Sequence, residues 1–238
     1  MTLAELEKEV PELSDYTRTM PPEIRQHVII KKHPPGGLIH QKDCELQHFG
    51  IVAKGENRVI NEFENGKVYM IETNRAIDFI GEVTLLAKKE RTSVTIEAVT
   101  ENTVVYIPRR DAEKWVAADE HILRKMAEHT AFKLYRSSYN NGLKLFYPPS
   151  YLLADYLVKL YEQQLPGVVT LKPGQFKPFL LQKTRERLAE ELGMNIKTLD
   201  RTIRNMHKEE YFHLVKGKIS LEFEQYLKLK NYLTAART

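Results

Sequence analysis

The sequence predicts an α+β protein with an N-terminal antiparallel β-roll, one long helix, and a C-terminal helix-turn-helix followed by a β-hairpin. Three observations carry this prediction. Short apolar runs separated by Gly, Pro and Asn turn signals fill the first half of the 238 residues. Apolar residues then recur at helical spacing over about 35 residues. Near the C-terminus, two short amphipathic patterns meet at a glycine, which is typical of a helix-turn-helix.

Residues 1–110 are predicted to form a domain that consists of a short N-terminal helix and a compact antiparallel β-roll. Three turn signals separate its apolar runs, namely Pro34-Pro35-Gly36-Gly37, Gly55-Glu56-Asn57 and Asn65-Gly66. The last of these lies between two alternating runs, and both of its residues tolerate positive φ. A type I′ hairpin is therefore expected there.

One long helix is predicted over residues 111–147. Asp111 is a candidate N-cap, and the helix should end at Tyr147 because Pro148 disfavours the α conformation in the residue before it. One apolar stripe comprises Phe132, Tyr135, Tyr139, Leu143 and Phe146, and a second comprises Val116, Leu123, Ala127, Thr130, Leu134 and Ser137. Two apolar faces indicate packing against the helix's own domain and against a partner helix, with burial inside a monomer as the alternative.

Residues 148–238 are predicted to form a winged helix-turn-helix domain. The inward faces of its two central helices comprise Leu188, Ala189, Leu192, Leu199, Ile203 and Met206. Gly193 can take the positive φ of a helix C-cap, and Asn195 can cap the helix that follows. Two further strands turning at Lys216-Gly217-Lys218 would form a basic wing.

The outward face of the second helix and the wing predict contact with double-stranded DNA, because such side chains reach base edges and phosphates from the major groove. The candidate DNA-binding residues are Arg185, Asn195, Ile196, Lys197, Thr198, Asp200, Arg201, Arg204, Lys216 and Lys218. Residues 183–238 hold 12 Lys and Arg against 8 Asp and Glu, whereas the rest of the chain is neutral. A basic segment of this kind suits a polyanion. A helical hairpin with solvated charges is the alternative.

Composition excludes several classes of protein. No apolar run is long enough to span a membrane, and the N-terminus lacks the features of a signal peptide, so a cytoplasmic protein is expected. The single cysteine, Cys44, excludes an internal disulfide and a cysteine-ligated cluster within one chain. No His-x-His pair occurs, so the metal site of a cupin enzyme is not expected. We expect no catalytic residue and no metal site.

The order of elements resembles the Crp/Fnr family of bacterial transcription regulators over about residues 20–225. The motifs that carry the resemblance are Pro34-Pro35-Gly36-Gly37, residues 49–55, residues 79–86, Arg91-Thr92-Ser93 and the Leu-Gly-x-Asn at 192–195. The resemblance implies a cyclic-nucleotide-binding-like jelly roll as sensor and a homodimer joined by its long helices. It also implies paired recognition helices on operator half-sites about one DNA turn apart, and RNA polymerase as a further partner.

The resemblance also implies an effector site in the β-roll. In relatives that bind cyclic AMP, backbone N–H groups and an Arg hold the cyclic phosphate, and a Glu holds the ribose hydroxyl. The matching positions are Gly81, Glu82, Arg91, Thr92, Ser93, Ser137 and Ser138. The segment from Gly81 to Arg91 is one residue shorter than in the cyclic AMP receptor, and Thr92-Ser93 replaces the usual Ser-Ala. A cyclic nucleotide, another small effector and no ligand all stay open, and no cofactor is assigned.

Other sensing chemistries and functions are weaker alternatives. A haem would need an axial ligand from the roll region, which contains His27, His33, His40 and His48. Such scattered histidines are more often surface or packing residues, and for Cys44 a buried, inert thiol is the expectation. A cyclic-nucleotide-binding module acting on a protein partner would leave the basic helix face without a role. Because Ile196 and Lys197 stand where the best-known members have Arg and Glu, we expect a different operator.

Overall fold

The computed structural model describes residues 1–66, 68–164 and 178–236, without the side chains of 139–145 and 164. The chain divides into two compact units, Met1–Ser138 and Tyr139–Thr238. The Pro/Gly-rich connection read from the sequence at 165–167 and 172–174 lies outside the described residues.

Three short helices precede the first strand, where the sequence predicts one. They are α1 (Leu3–Glu9), α2 (Ser14–Thr17) and α3 (Pro22–Arg25), with a 3₁₀ turn at Pro11–Leu13. Thr2 caps α1 in a reciprocal capping box with Glu5. Leu6 and Leu13 are fully buried in the core of the first unit, so these short N-terminal helices are part of that core.

Eight strands form the predicted antiparallel roll. They are β1 (Ile29–His33), β2 (Leu38–His40), β3 (His48–Lys54), β4 (Glu56–Glu62), β5 (Val68–Arg75), β6 (Asp78–Ile80), β7 (Thr95–Ala98) and β8 (Asn102–Pro108). One sheet has the order β1-β8-β3-β6 and the other has the order β2-β7-β4-β5. Val52 and Val104 of the first sheet share a buried cluster with Val59 and Ile96 of the second. The short helix α4 (Glu82–Leu86) follows β6.

The hairpin at Asn65-Gly66 is present, but its loop is longer than the predicted two-residue turn. The antiparallel pairing of β4 with β5 ends at Glu62 opposite Val68. Gly66 adopts a φ of 73°, which its lack of a Cβ permits. The type I′ assignment is therefore wrong, because more residues connect the two strands than such a turn holds.

The long helix is interrupted once, whereas the sequence predicts a continuous one. Helix α5 spans Arg109–Ala118, and α6 spans Glu120–Phe146. Asp119 sits at the break, where its Oδ1 accepts a hydrogen bond from the backbone N–H of His121 at 2.8 Å. Its Oδ2 accepts from the indole of Trp115 at 2.9 Å. This carboxylate therefore caps the beginning of α6.

Both ends of the predicted helix can be compared with the structure. Asp111 lies inside α5 and is not its N-cap, because strand β8 runs directly into the helix through Pro108. Helix α6 ends at Phe146, one residue before the predicted end at Tyr147. The Pro148-Pro149 pair that follows explains this end, since the residue before a proline avoids the α conformation.

The second unit contains four helices and a small sheet within its described residues. They are α7 (Pro149–Gln164), β9 (Phe179–Leu180), α8 (Arg185–Leu192), α9 (Ile196–Lys208), β10 (His213–Val215), β11 (Lys218–Leu221) and α10 (Phe223–Ala235). The antiparallel sheet has the order β10-β11-β9, so the predicted wing gains a third strand that the sequence pattern did not reveal. Tyr151, Tyr161, Leu188 and Phe212 are fully buried in the common core. Among the described helices, none combines the length and apolarity needed to cross a bilayer.

Candidate DNA-reading surface and effector site

Local capping positions the two helices of the helix-turn-helix. Thr184 caps α8 by accepting from the backbone N–H of Arg187 at 3.2 Å. Gly193 ends that helix with a φ of 67°, which is the predicted left-handed C-cap. The side chain of Asn195 accepts from the backbone N–H of Thr198 at 2.8 Å and so begins α9 as predicted. The candidate DNA-binding residues Asn195 and Thr198 therefore shape the helix start.

Helix α9 is strongly amphipathic. Its inward side chains Leu199, Ile203 and Met206 are 3% exposed or less. The opposite face carries Ile196, Lys197, Arg201 and Arg204, all of them exposed. Within the described residues, neither Lys197 nor Arg201 makes an ion pair or a side-chain hydrogen bond. Lys197 and Arg201 are therefore cations with no acidic partner among the described residues of the unit.

Arg185, another candidate for DNA contact, is engaged inside the unit. Its guanidinium donates to the backbone carbonyl of Gly217 in the wing turn at 2.7 Å. The same side chain lies 3.5 Å from the carboxylate of Asp200 on α9. Arg185 thus ties the first helix, the recognition helix and the wing together, and it neutralises the acidic side chain on the outward face.

The wing is a tight hairpin with one lysine at its tip. Lys216 and Gly217 have φ values of 50° and 79°, so both turn residues are left-handed, as a type I′ turn requires. Lys216 is exposed. Lys218 donates to the side-chain oxygen of Gln182 at 2.8 Å, which braces the wing against the segment before α8.

A buried acidic residue that sequence reasoning missed anchors α8. Glu191 is 8% exposed, and its carboxylate accepts from Lys183 at 2.6 Å and from Arg187 at 3.0 Å. Tyr156 of α7 donates its hydroxyl proton to the same carboxylate. Burial, followed by the negative charge of Glu191, raises the pKa of the Tyr156 phenol, which keeps it a donor.

In the first unit, Gly81 and Glu82 begin α4 at the predicted effector site. Gly81 has a φ of 82°, and a Cβ there would lie 2.7 Å from the Cδ1 of Leu46, so only glycine fits. Glu82 is 4% exposed, and its Oε1 lies 2.9 Å from the Nζ of Lys133 on α6. Burial raises the pKa of Glu82, although Lys133 acts in the opposite direction.

The other matching positions follow at the end of the same connection. Arg91 is exposed, and its guanidinium donates to the backbone carbonyl of Asp43 at 2.7 Å. Thr92 is buried and donates its hydroxyl to the carbonyl of Gln41 at 2.5 Å, whereas Ser93 is exposed. Arg91 and Thr92 are thus held by the loop before β3. No contact between them and Glu82 is present among the described residues.

A row of basic side chains on α6 faces the roll, in contrast to the apolar face that the sequence predicts. Ile122 and Met126 are fully buried at its beginning. Further along, Lys133 lies 2.9 Å from the Oδ1 of Asp78, and Arg136 contacts Glu72 and bonds the Asn74 side chain at 2.9 Å. We call His129, Lys133 and Arg136 the basic face of α6.

Two acidic partners dominate the surroundings of Lys133. Burial lowers the pKa of Lys133, but Glu82 and Asp78 outweigh it and leave that pKa above the ordinary value. His129 contacts the same Asp78 oxygen at 3.3 Å and the Tyr16 hydroxyl at 3.1 Å. All three side chains of the basic face therefore make polar contacts within the first unit.

The remaining residues considered in the sequence analysis are two serines of α6, the cysteine and the histidines of the roll. Ser137 is half-buried and Ser138 is exposed near the end of the first unit. Cys44 is exposed, so the expectation of a buried thiol is wrong, because the loop before β3 lies on the surface. Of the roll histidines, His33 bonds the Tyr106 hydroxyl at 2.9 Å and His27 bonds Asp111 at 2.8 Å.

Across the described ranges, no group of three or more His, Cys, Asp or Glu side chains is arranged to hold a metal ion.

Known proteins resemble the chain across both units. A model of the cyclic nucleotide-binding domain matches residues 30–119. The cAMP-activated global transcriptional regulator CRP of Salmonella typhimurium is 24% identical over 184 residues, covering 77% of this chain and 84% of that protein. A Crp/Fnr regulator from Eubacterium rectale is 18% identical with a TM-score of 0.73, covering 94% of this chain and 100% of that one.

The c-di-GMP responsive global regulator CLP of Xanthomonas campestris has the same fold. Its TM-score is 0.68 at 15% identity, covering 82% of this chain and 94% of that one. These relatives are transcription regulators rather than enzymes. The β-roll, the long helix and the winged helix-turn-helix follow in the order predicted from the sequence, and the chain is similar to Crp/Fnr transcription regulators over most of its length.

Proposed function

We propose that the protein regulates transcription as a homodimer that binds a double-stranded DNA operator through α9 and the β10–β11 wing. The observation that carries this proposal is the pair of exposed cations Lys197 and Arg201, which have no acidic partner among the described residues. Lysine and arginine on the outward face of a helix match the phosphates and the guanine edges of a major groove. Lys216 at the wing tip adds a phosphate contact beside them.

A second copy of the chain is the proposed partner of α6. The side chains of Leu123, Phe132, Leu134 and Tyr135 are 41–79% exposed. Leu123, Ala127, Thr130 and Leu134 recur at alternating spacings of four and three, which is the seam of a paired helix. Pairing two copies along this seam would bury apolar side chains that water otherwise contacts.

We assign effector sensing to the roll of the first unit. Glu82 and the positions Gly81, Arg91, Thr92, Ser93, Ser137 and Ser138 form the proposed set. A phosphate group would compete with one backbone carbonyl for Arg91, which costs little because that side chain is exposed. One relative is named for activation by cAMP and another for response to c-di-GMP, so similarity to them leaves the effector class of this chain open.

RNA polymerase is proposed as a further partner only because the chain is similar to transcription regulators, which act on this enzyme. A module that acts on a protein partner through the roll is the second candidate function. It leaves the unpaired cations of α9 without a role, and no contact in the described part of the chain favours it.

Operator binding by the full-length protein tests the proposal. An operator is selected from a random duplex library, and affinity is measured by fluorescence anisotropy at about 0.15 M salt. Native mass spectrometry should find two chains on each operator. Arg201→Ala should weaken binding about tenfold or more, with an unchanged melting temperature.

Arg124→Ala is the matched control, because it removes an exposed arginine from α6 and leaves the second unit untouched. Its operator affinity should equal that of the wild type. Failure to select any sequence, or equal binding by Arg201→Ala, would contradict the proposal.

A further inference from the structure

Glu82 is the only carboxylate in the proposed effector set, and it already has a partner within the protein. The residue is buried, and its Oε1 lies 2.9 Å from the Nζ of Lys133 on α6. An ionised carboxylate can only accept hydrogen bonds, so a ligand would have to engage it with a donor such as a hydroxyl. The ammonium of Lys133 therefore occupies the place that the donor group of a ligand would need.

A second carboxylate holds Lys133 in this place. The Oδ1 of Asp78, which is also buried, lies 2.9 Å from the same Nζ. Although burial lowers the pKa of Lys133, the two carboxylates outweigh burial and keep that pKa above its ordinary value. The lysine is therefore charged at neutral pH, with one anionic partner on β6 and one on α4.

A neutral hydroxyl is a poor competitor for this lysine. Hydrogen bonds between ionised partners are roughly twice as strong as those between neutral groups. Moving Lys133 away from Glu82 would also separate a buried ion pair, which is strongly unfavourable when nothing replaces the lost charge. A ligand hydroxyl would thus gain one hydrogen bond at the expense of a buried ion pair, so the exchange does not favour the ligand.

The other members of the set offer a ligand a different chemistry. Arg91 is exposed and makes no ion pair within the described residues, since its guanidinium donates only to the backbone carbonyl of Asp43 at 2.7 Å. The hydroxyl of Thr92 is engaged by a backbone carbonyl. Ile80 and Val94, which flank residues 81–93 in the sequence, contribute to the apolar cluster between the two sheets. A ligand would therefore meet a guanidinium and hydrocarbon, but a carboxylate that is already paired.

We propose that Lys133 is a specificity-determining residue of the effector site, because it keeps the hydroxyl groups of ligands away from Glu82. The site thereby rejects ligands that are recognised through a sugar hydroxyl, cyclic nucleotides among them, in favour of anions that need no such contact. This inference rests on the effector role proposed for the roll. It deepens that role by naming the ligand chemistry that the site excludes.

Two nucleotides that differ by one hydroxyl test the inference. Cyclic 3′,5′-AMP has one free sugar hydroxyl, at the 2′ position, and 2′-deoxy-cyclic AMP lacks it. Both are titrated into the full-length protein by calorimetry. The wild type should not distinguish them. Lys133→Met leaves Glu82 without its donor, so this variant should bind cyclic AMP at least about tenfold more tightly than the deoxy form, as expected for a hydrogen bond to a charged acceptor.

Three further variants make the result specific. Asp78→Asn/Lys133→Met removes one of the two carboxylates that the missing lysine leaves buried, so it replaces the single variant if that one does not fold. It should show the same preference for cyclic AMP. In Glu82→Met/Lys133→Met the acceptor is gone, and the preference should vanish. The matched control is Lys125→Met, which removes another lysine of α6, paired with Asp15 at 2.5 Å, and should behave as the wild type. Melting curves verify that each variant folds.

The outcomes separate this inference from the proposed function. A wild type that prefers cyclic AMP over the deoxy form overturns the role of Lys133, because Glu82 is then open to the hydroxyl. Lack of any preference in both Lys133→Met and Asp78→Asn/Lys133→Met overturns it as well. Operator binding is measured on the same samples. Its absence in the wild type would contradict the proposed DNA binding and would leave the outcome of the nucleotide titrations unchanged.

Discussion

Helices α6 and α9 both carry a row of basic side chains. Those of α6 are paired with acidic residues of the same unit, whereas Lys197 and Arg201 of α9 have no acidic partner among the described residues. On α6, Lys133 lies between the carboxylates of Asp78 and Glu82, each 2.9 Å away. On α9, Lys197 and Arg201 are exposed and have no acidic partner among the described residues. Similar residue types thus serve packing in one unit and remain available for a ligand in the other.

The difference shows that a count of positive charges does not locate a DNA-binding surface. Residues 1–182 hold as many basic as acidic residues, and the contacts of the basic face show how they can cancel locally. What distinguishes Lys197 and Arg201 of α9 is that neither makes an ion pair within the described residues. Pairing decides whether a cation is structural or functional, and pairing is a property of the tertiary structure.

The largest expected effect is a loss of folding stability in the variant Lys133→Met. The variant would leave the carboxylates of Asp78 and Glu82 buried without their cation. Removing one partner of a buried ion pair costs about 3–5 kcal/mol, so we expect a loss near the lower figure for this slightly exposed pair. The loss is measured as the free energy of unfolding of the first unit in urea.

Arg124→Met serves as the control for that experiment, because its ion pair with Glu120 lies on the surface of the same helix. Surface pairs of this kind contribute about 0–1 kcal/mol. If Lys133→Met cost no more than Arg124→Met, the basic face would not stabilise the first unit and the contrast with α9 would collapse.

An intermediate effect is expected from Lys197→Met, and it should fall on DNA binding rather than on stability. The lysine has no partner to lose within the described residues, so the free energy of unfolding should change by less than about 0.5 kcal/mol. Operator affinity should fall several-fold, and the slope of log K against log salt should become shallower by about one. A salt titration with the wild type in parallel measures both.

A drop in stability comparable with that of Lys133→Met would contradict this expectation. So would an unchanged salt slope combined with unchanged affinity. The first outcome would place Lys197 with the structural cations of α6, and the second would remove it from the DNA-contacting surface.

The smallest expected effect is a pH dependence from Glu82. Burial raises the pKa of Glu82, so the folded protein holds this proton more tightly than the unfolded chain does. Its stabilising contribution is therefore fully present below the ordinary pKa of glutamate and is lost as the pH rises through the raised value. Glu82→Gln removes this titration and leaves Asp78 beside Lys133.

The measurement is the free energy of unfolding of both proteins between about pH 4 and pH 7. The stability of the wild type relative to Glu82→Gln should decrease as the pH rises. A difference that grows with pH would mean that Lys133 outweighs burial at this carboxylate.

Much of the second unit could be predicted from the sequence, because its determinants are local. Asn195 caps a helix that begins one residue later, Gly193 ends the preceding one, and Leu199 and Ile203 are one turn apart. Each of these interactions spans only a few residues, so spacing alone reveals it. The β9 strand was missed because two residues show no periodicity.

The contacts of the candidate effector site were less predictable, because they join residues remote in the chain. Lys133 and Glu82 are 51 residues apart in the chain, and no spacing rule connects them. Apolar periodicity predicted an apolar face of α6 against its own domain; the structure has one at Ile122 and Met126, and places the charged side chains of Lys133 and Arg136 further along the helix. The break at Asp119 was missed as well, since it depends on a side chain that caps inside an apparently continuous pattern.

The order of the elements, the helix-turn-helix, the wing and the outward side chains of α9 can all be read from the sequence. They follow from capping, periodicity and turn chemistry, which act over a few residues. The folded structure is needed to see which cations are paired, that Arg185 and Asp200 form an ion pair beside the wing, and that Ile196 stays exposed. Ion pairing and burial depend on distances between segments remote in the chain, and folding alone sets those distances.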